Sequence, residues 1–127
     1  MISPTLKKLR YRPGARVALH GAPAGFEAEV SSAKEVVRAK AGEKNLDVVQ
    51  AFFTRRADLE RQLAPLKASL GPRAILWLCY PKGGALGTDL KRDMIGEIAG
   101  KKGLQPVALV AVDDVWSAVR VKPTSSE

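Results

Sequence analysis

The residues able to do chemistry in this chain fall into four short clusters. They are His20-Gly21-Ala22-Pro23-Ala24-Gly25-Phe26, Thr54-Arg55-Arg56, the stretch from Pro81 through Lys82, Gly83, Gly84 and Thr88 to Asp89, and Asp113-Asp114-Val115-Trp116. His20 is the single histidine and the one side chain whose ordinary pKa lies near neutrality, so it is a candidate base or ligand donor. The plainer reading makes it a hydrogen-bonded structural group. Lys82 with the amides of Gly83 and Gly84, just before Thr88, suits a phosphate or carboxylate, because glycine amides and a helix start attract anions. The lysine precedes the glycines, so the P-loop pattern is not met. Arg55 and Arg56 open a helix, where the dipole disfavours cations, which makes them candidates for a clamp. Asp113 and Asp114 offer a base or a pair for a hard cation, or simply a turn. Cys79 sits in an apolar run with no base beside it, so a nucleophile there is disfavoured.

The turn His20–Phe26 carries Gly21 and Gly25 around Pro23, which removes an amide donor and stiffens the chain. It departs from the G-x-G-x-x-G turn of dinucleotide binders. An acidic residue closing the second strand, which would hold a ribose, is also missing. The candidate ligand-binding set is therefore His20, Gly21, Gly25, Arg55, Arg56, Lys82, Gly83, Gly84, Thr88, Asp113, Asp114 and Trp116. No catalytic residue and no metal site is assigned, and the cofactor stays open.

These clusters matter if the intervening elements bring them together. Arg16–Leu19 reads as a first strand. The segment 25–32 could be a short helix and 35–38 a short strand, or Ser32 and Glu35 could form a capping box for a helix over 33–41; local chemistry favours the latter. Leu46–Phe53 and Ala74–Tyr80 are near-continuous apolar runs, expected of strands covered on both faces. Between them Leu59, Leu63, Leu66 and Leu70 repeat at helical spacing, with Thr54 as cap, Pro65 as a kink or division and Gly71-Pro72 as the end. Thr88 and Asp89 should start a further helix whose buried stripe is Leu90, Met94, Ile95 and Ile98. Val107–Val112 is another strand, and Trp116–Lys122 alternates as an antiparallel one. The expected architecture is a three-layer, Rossmann-like α/β sandwich, with a mainly parallel central sheet and an antiparallel C-terminal strand. Ligands of such sheets bind beyond the carboxyl ends of the strands, and all four clusters leave those ends.

The chain has 127 residues, one cysteine and one histidine. It has no intramolecular disulfide, no cysteine-based zinc cluster and no site needing two histidines. Its length fits one domain. The expected organisation is a basic arm over residues 1–13, a single α/β domain over 14–122 and a tail over 123–127. The formal charge is +8, and five of the 21 basic residues lie within the first sixteen with no acid among them. That arm could neutralise nucleic-acid phosphates, although a solvated tail is the favoured reading. No signal-like apolar stretch follows the basic start, and no apolar run approaches the roughly 20 residues of a spanning helix. No membrane contact is expected. The cytoplasm is the expected compartment, and the free thiol agrees with it.

The run LWLCYPKGGALGTDLKRD with the ending PVALVAVDDVWSAVRVK resembles small bacterial proteins grouped as domain of unknown function 3052. The phrases RVALHGAPAGF and RRADLERQLAPLKASLGP fit the same group, so the resemblance covers about Arg16 to Lys122. The order of LDVVQAFF, ILWLCYP and a terminal antiparallel hairpin is also similar to a shortened methyltransferase-like Rossmann fold. That resemblance implies S-adenosylmethionine as a cofactor, held at a degenerate form of the first turn.

Two functional classes follow, with a third beside them. The main expectation is a protein that binds a small anionic ligand, or a partner's acidic segment, at the rim without catalysis. The alternative is a reduced methyltransferase-like enzyme with His20 or an aspartate of 113–114 as base. The third is association with nucleic acid through Lys7–Arg16. Oligomeric state is not legible.

Overall fold

The computed structural model describes residues 2–40 and 42–124. Six strands form one sheet in the order β2-β1-β3-β4-β6-β5: β1 (Arg16–His20), β2 (Val37–Arg38), β3 (Leu46–Phe52), β4 (Leu70–Pro81), β5 (Leu104–Ala111) and β6 (Trp116–Pro123). The pairs β1/β2, β1/β3 and β3/β4 are parallel, while β6 runs antiparallel between β4 and β5. Five strands thus point one way and β6 alone is reversed, the mainly parallel Rossmann-like sheet expected from the sequence. Chain order reverses at β1, which lies between β2 and β3, and this is the switch point of the sheet.

Helices cover both faces. On one face α1 (Pro4–Lys8) and α2 (Ala24–Ser32) bury Leu6, Phe26 and Val30 against Val17, Val48, Phe52 and Trp77. On the other, α3 (Arg56–Ala68) and α4 (Arg92–Lys101) bury Leu59, Leu63, Ile95 and Ile98 against Val49, Leu76, Leu78 and Val119. Alternate residues of β3 and β4 therefore feed opposite cores, which explains their unbroken apolar runs. β5 is the far edge, and its Val107 and Leu109 stay exposed.

Several local expectations are corrected. The N-terminal arm is not a solvated tail. Ser3 caps α1 through the amide of Leu6 and Pro4 opens the helix. Ile2, Leu6, Leu9 and Tyr11 are buried in the first core. Burial of such side chains is worth about 1.5–3 kcal/mol each, far more than solvating them as a tail. Polar contacts fix the register of the arm. The Trp77 indole donates to the Leu9 carbonyl at 2.9 Å, and the Tyr11 hydroxyl to Gln50 Oε1 at 3.0 Å. At the other end, Pro123 belongs to β6 and Thr124 donates its amide to the Gly103 carbonyl; residues 125–127 of the expected tail lie outside the described residues.

The capping box expected at Ser32 does not form. α2 ends at Ser32, and the amides of Val37 and Ala39 donate to the carbonyls of Ala15 and Val17. Pairing with β1 outweighs the local preference. α3 is not divided at Pro65 but runs on to Ala68, and Gly71-Pro72 lie inside β4 rather than ending the helix. Thr54 does not cap α3; its carbonyl instead accepts the Thr88 hydroxyl at 2.7 Å. Nor does Thr88 start a helix. α4 begins at Arg92, so Leu90 is buried ahead of it.

No described helix is long and apolar enough to cross a membrane.

Candidate functional site

The carboxyl ends of β1 through β5 and the amino end of β6 share one rim. His20, Phe53, Lys82 and Trp116 all stand there, at or just beyond the ends of β1, β3, β4 and β6. Aromatic contacts run along it. The His20 ring lies 5.5 Å from that of Phe53, and Phe52 lies 5.1 Å from Trp116 and 5.1 Å from Phe26. The Lys82 amide donates to the Val115 carbonyl at 2.7 Å, joining the third and fourth clusters.

Two hollows meet at His20. One, of about 450 Å³, is lined by Gly21, Pro23, Phe53, Thr54, Asp58 and Trp116. The other, of about 400 Å³, lies between β1, residues 38–40 and 42–44, and α3, and is lined by Arg38, Lys40, Glu43 and Leu66. His20 and Gln62 line both, so the two hollows adjoin as a groove at the switch point. Each volume falls in the range of small-ligand clefts.

Gly21 shapes the groove. Its φ of +66° is one that L side chains rarely adopt, and a Cβ there would stand 2.8 Å from the Phe52 carbonyl oxygen. This glycine lets the β1 turn lie directly on β3. Gly25 is different: it lies in the first turn of α2, with open space where a Cβ would be. Pro23 precedes that helix and gives no side-chain cap, so the amides of Ala24, Gly25 and Phe26 have no partner among the described residues. They present the positive end of the α2 dipole beside the groove.

Charges of both signs line the walls. Arg38 grips Glu27 of α2 through both guanidinium nitrogens, at 2.5 and 2.9 Å, which ties the end of β2 to α2. That hydrogen bonding holds the Glu27 carboxyl below its ordinary pKa. Glu43 accepts the Lys40 amide at 2.6 Å and pairs with Arg16. Asp58 pairs with Arg61. Glu43, five residues beyond the end of β2, is an acid in the lining of the second hollow. Neither Glu43 nor Gln62 was marked by any motif, since only the fold sets them beside His20.

Other expected site residues do structural work instead. Arg55 donates to the Gly87 carbonyl at 3.1 Å and Arg56 pairs with Glu60, so both guanidinium groups are engaged within the chain. Asp89 accepts the Arg56 amide at 2.8 Å, capping α3 rather than the helix that follows it in sequence. Thr88 bridges the Thr54 carbonyl and the Leu90 amide. Gly83 and Gly84 both adopt positive φ in an irregular 3₁₀ turn over Lys82–Gly87, and Thr88–Lys91 separate that turn from α4. The expected anion cradle, glycine amides at a helix start, is therefore absent from these described residues. Asp113 Oδ1 accepts the amides of Val115 and Trp116 at 2.8 Å each, making the turn its sequence also allowed. Asp114 is exposed. No metal-holding group of three or more His, Cys, Asp or Glu occurs among the described residues. Cys79 is wholly buried, and burial pushes its thiol up to about 12, so it is inert.

No family model matches the chain, and no curated protein matches it. Solved structures do. A ribosomal protein L11 methylase from Lactobacillus delbrueckii subsp. bulgaricus superposes with a TM-score of 0.62 at 10% identity, over 95% of this chain and 75% of that one. A TehB-like SAM-dependent methyltransferase from Corynebacterium glutamicum gives 0.62 at 12% identity, over 94% and 85%. A SAM-dependent methyltransferase from Aquifex aeolicus gives 0.59 at 16% identity, over 94% and 89%. The fold is therefore that of SAM-dependent methyltransferases.

Proposed function

We propose that this methyltransferase-like domain binds an adenosyl nucleoside in the groove at its switch point and acts as a reduced methyltransferase. The observation that supports it most is the meeting of two hollows at His20 and Gln62, at the place where such sheets take their ligands. The donor set fits S-adenosylmethionine. The unpartnered amides at the start of α2 suit its carboxylate, Glu43 suits hydroxyls, and the edges of His20, Phe53 and Trp116 suit an aromatic base. When bound, that cofactor supplies an activated methyl group. The chain's own part is to hold and orient it, with His20 as the base available at the rim for an acceptor's proton.

The main expectation from the sequence, a non-catalytic protein holding an anionic ligand at the rim, has less support, because Gly83 and Gly84 do not stand at a helix start. Titration calorimetry with S-adenosylmethionine and S-adenosylhomocysteine tests the proposal. Saturable one-to-one binding is expected, weakened at least tenfold by Gln62→Trp, which fills the groove from a half-buried position on α3. Absence of heat with both compounds at millimolar concentration overturns it. So does binding that Gln62→Trp leaves unchanged.

A further inference from the structure

A second feature lies toward the opposite end of the sheet. Lys7, Arg10, Arg12, Arg73 and Arg120 line one hollow of about 450 Å³, floored by Tyr11 and Ile75. The arm, the start of β4 and the middle of β6 each contribute. The folded arm thus adds three cations to two that the sheet already presents on the same face. None of the five forms an ion pair among the described residues, whereas Arg16, Arg38, Arg56 and Arg61 all do. Arg16, the last cation of the basic segment, is turned away to Glu43, and Lys8 is tied to the Ala111 carbonyl. The sorting leaves an all-positive trough with no acid lining it.

Two further observations point to an anion there. Arg120 Nε is buried with no hydrogen-bond partner, an orphan donor in the wall of the trough. Arg10 holds the left-handed position just past α1, at φ 71°, where glycine is the ordinary choice. The amides of Arg10 and Tyr11 close that helix end on the carbonyls of Lys7 and Leu6, at 3.0 Å each. A side chain is kept at a position that penalises one, which signals a use for it.

We infer that this trough is a sequence-independent binding surface for the phosphate backbone of nucleic acid. The hollow is shallow and four of its cations are exposed, which suits a chain passing over it better than a compact ligand held within it. Tyr11 is buried, so no aromatic face is offered to a base, and contact is limited to phosphates. This inference is independent of the rim groove.

Fluorescence anisotropy of the full chain with a labelled single strand of about 20 nucleotides tests it. Neutralising about five phosphates predicts a slope near −3.5 in log K against log salt, or about 100-fold weaker binding at 200 mM than at 50 mM. Arg73→Glu should weaken binding at least tenfold and flatten the slope, while Lys101→Glu, the same charge change on α4, should do much less. Arg10→Gly should also weaken binding while leaving the melting temperature unchanged or higher, which separates binding from folding. Equal losses for Arg73→Glu and Lys101→Glu would mean diffuse net charge and overturn the inference. Tighter binding of inorganic tripolyphosphate than of the oligonucleotide, or capture by vesicles of anionic lipid without nucleic-acid binding, would overturn it too.

Discussion

Replacing Gly21 by alanine tests the packing on which the groove is built. Two penalties act together. The left-handed conformation at φ +66° costs a residue with a Cβ about 1 kcal/mol or more. The new methyl would also stand 2.8 Å from the Phe52 carbonyl oxygen, which is backbone and cannot swing aside. Either β1 or β3 must shift, and overpacking of that kind costs about 1–3 kcal/mol. The sum is about 2–4 kcal/mol. Gly25→Ala is the matched control. That position is helical and open, so alanine should be neutral or stabilise by about 0.5–1 kcal/mol. Urea unfolding followed by circular dichroism reads both. With a slope of about 1–3 kcal/mol per M, Gly21→Ala should lower the midpoint by about 1–2 M, and Gly25→Ala should leave it or raise it slightly. A Gly21→Ala protein within about 0.5 kcal/mol of the parent would refute the close approach of the two strands. Equal losses for the two variants would refute the distinction between the glycines.

Other outcomes follow from the same coordinates. Tyr11→Phe leaves Gln50 Oε1 buried without its donor and should cost about 1–3 kcal/mol in chemical denaturation, whereas a solvated arm would show no change. Cys79 should resist a thiol reagent at pH 8 in the folded protein and react once urea unfolds the chain, because the buried thiol titrates only near pH 12. Glu27 has a folded pKa below its ordinary 4.5, so its pairing with Arg38 stabilises the fold above that value and is lost as pH falls through the depressed folded pKa. Carbon-detected NMR should show Glu27 titrating below its ordinary value, and Glu27→Gln should remove the corresponding acid-side loss of stability.

The central strands were legible because burial on two faces leaves a plain mark: LDVVQAF and AILWLCY have almost no polar interruption. The reversed last strand was legible from its alternation. The arm was misread because its four cations hide an apolar stripe. Ile2, Leu6 and Leu9 are spaced by four and three, after which Tyr11 follows, and Ser3-Pro4 is a helix start. That signal was present, and net charge obscured it. The stretch after Ser32 was misread for a different reason. Its chemistry does favour a helix, but β1 supplies backbone partners from a distance that local preference does not register. The site was legible only as a rim. Sequence brought His20, Gly21 and Trp116 to it, and missed Glu43 and Gln62, which reach the hollows from the connection before β3 and from α3. Asp89 shows the same limit: a residue expected in the first turn of the next helix caps the previous one.

Calorimetric titration of S-adenosylmethionine into the intact chain addresses the central claim most directly. The groove predicts saturable binding at one site, matched by S-adenosylhomocysteine and reduced at least tenfold in Gln62→Trp. Flat titrations with both nucleosides, from protein whose fold is verified by circular dichroism, would contradict it.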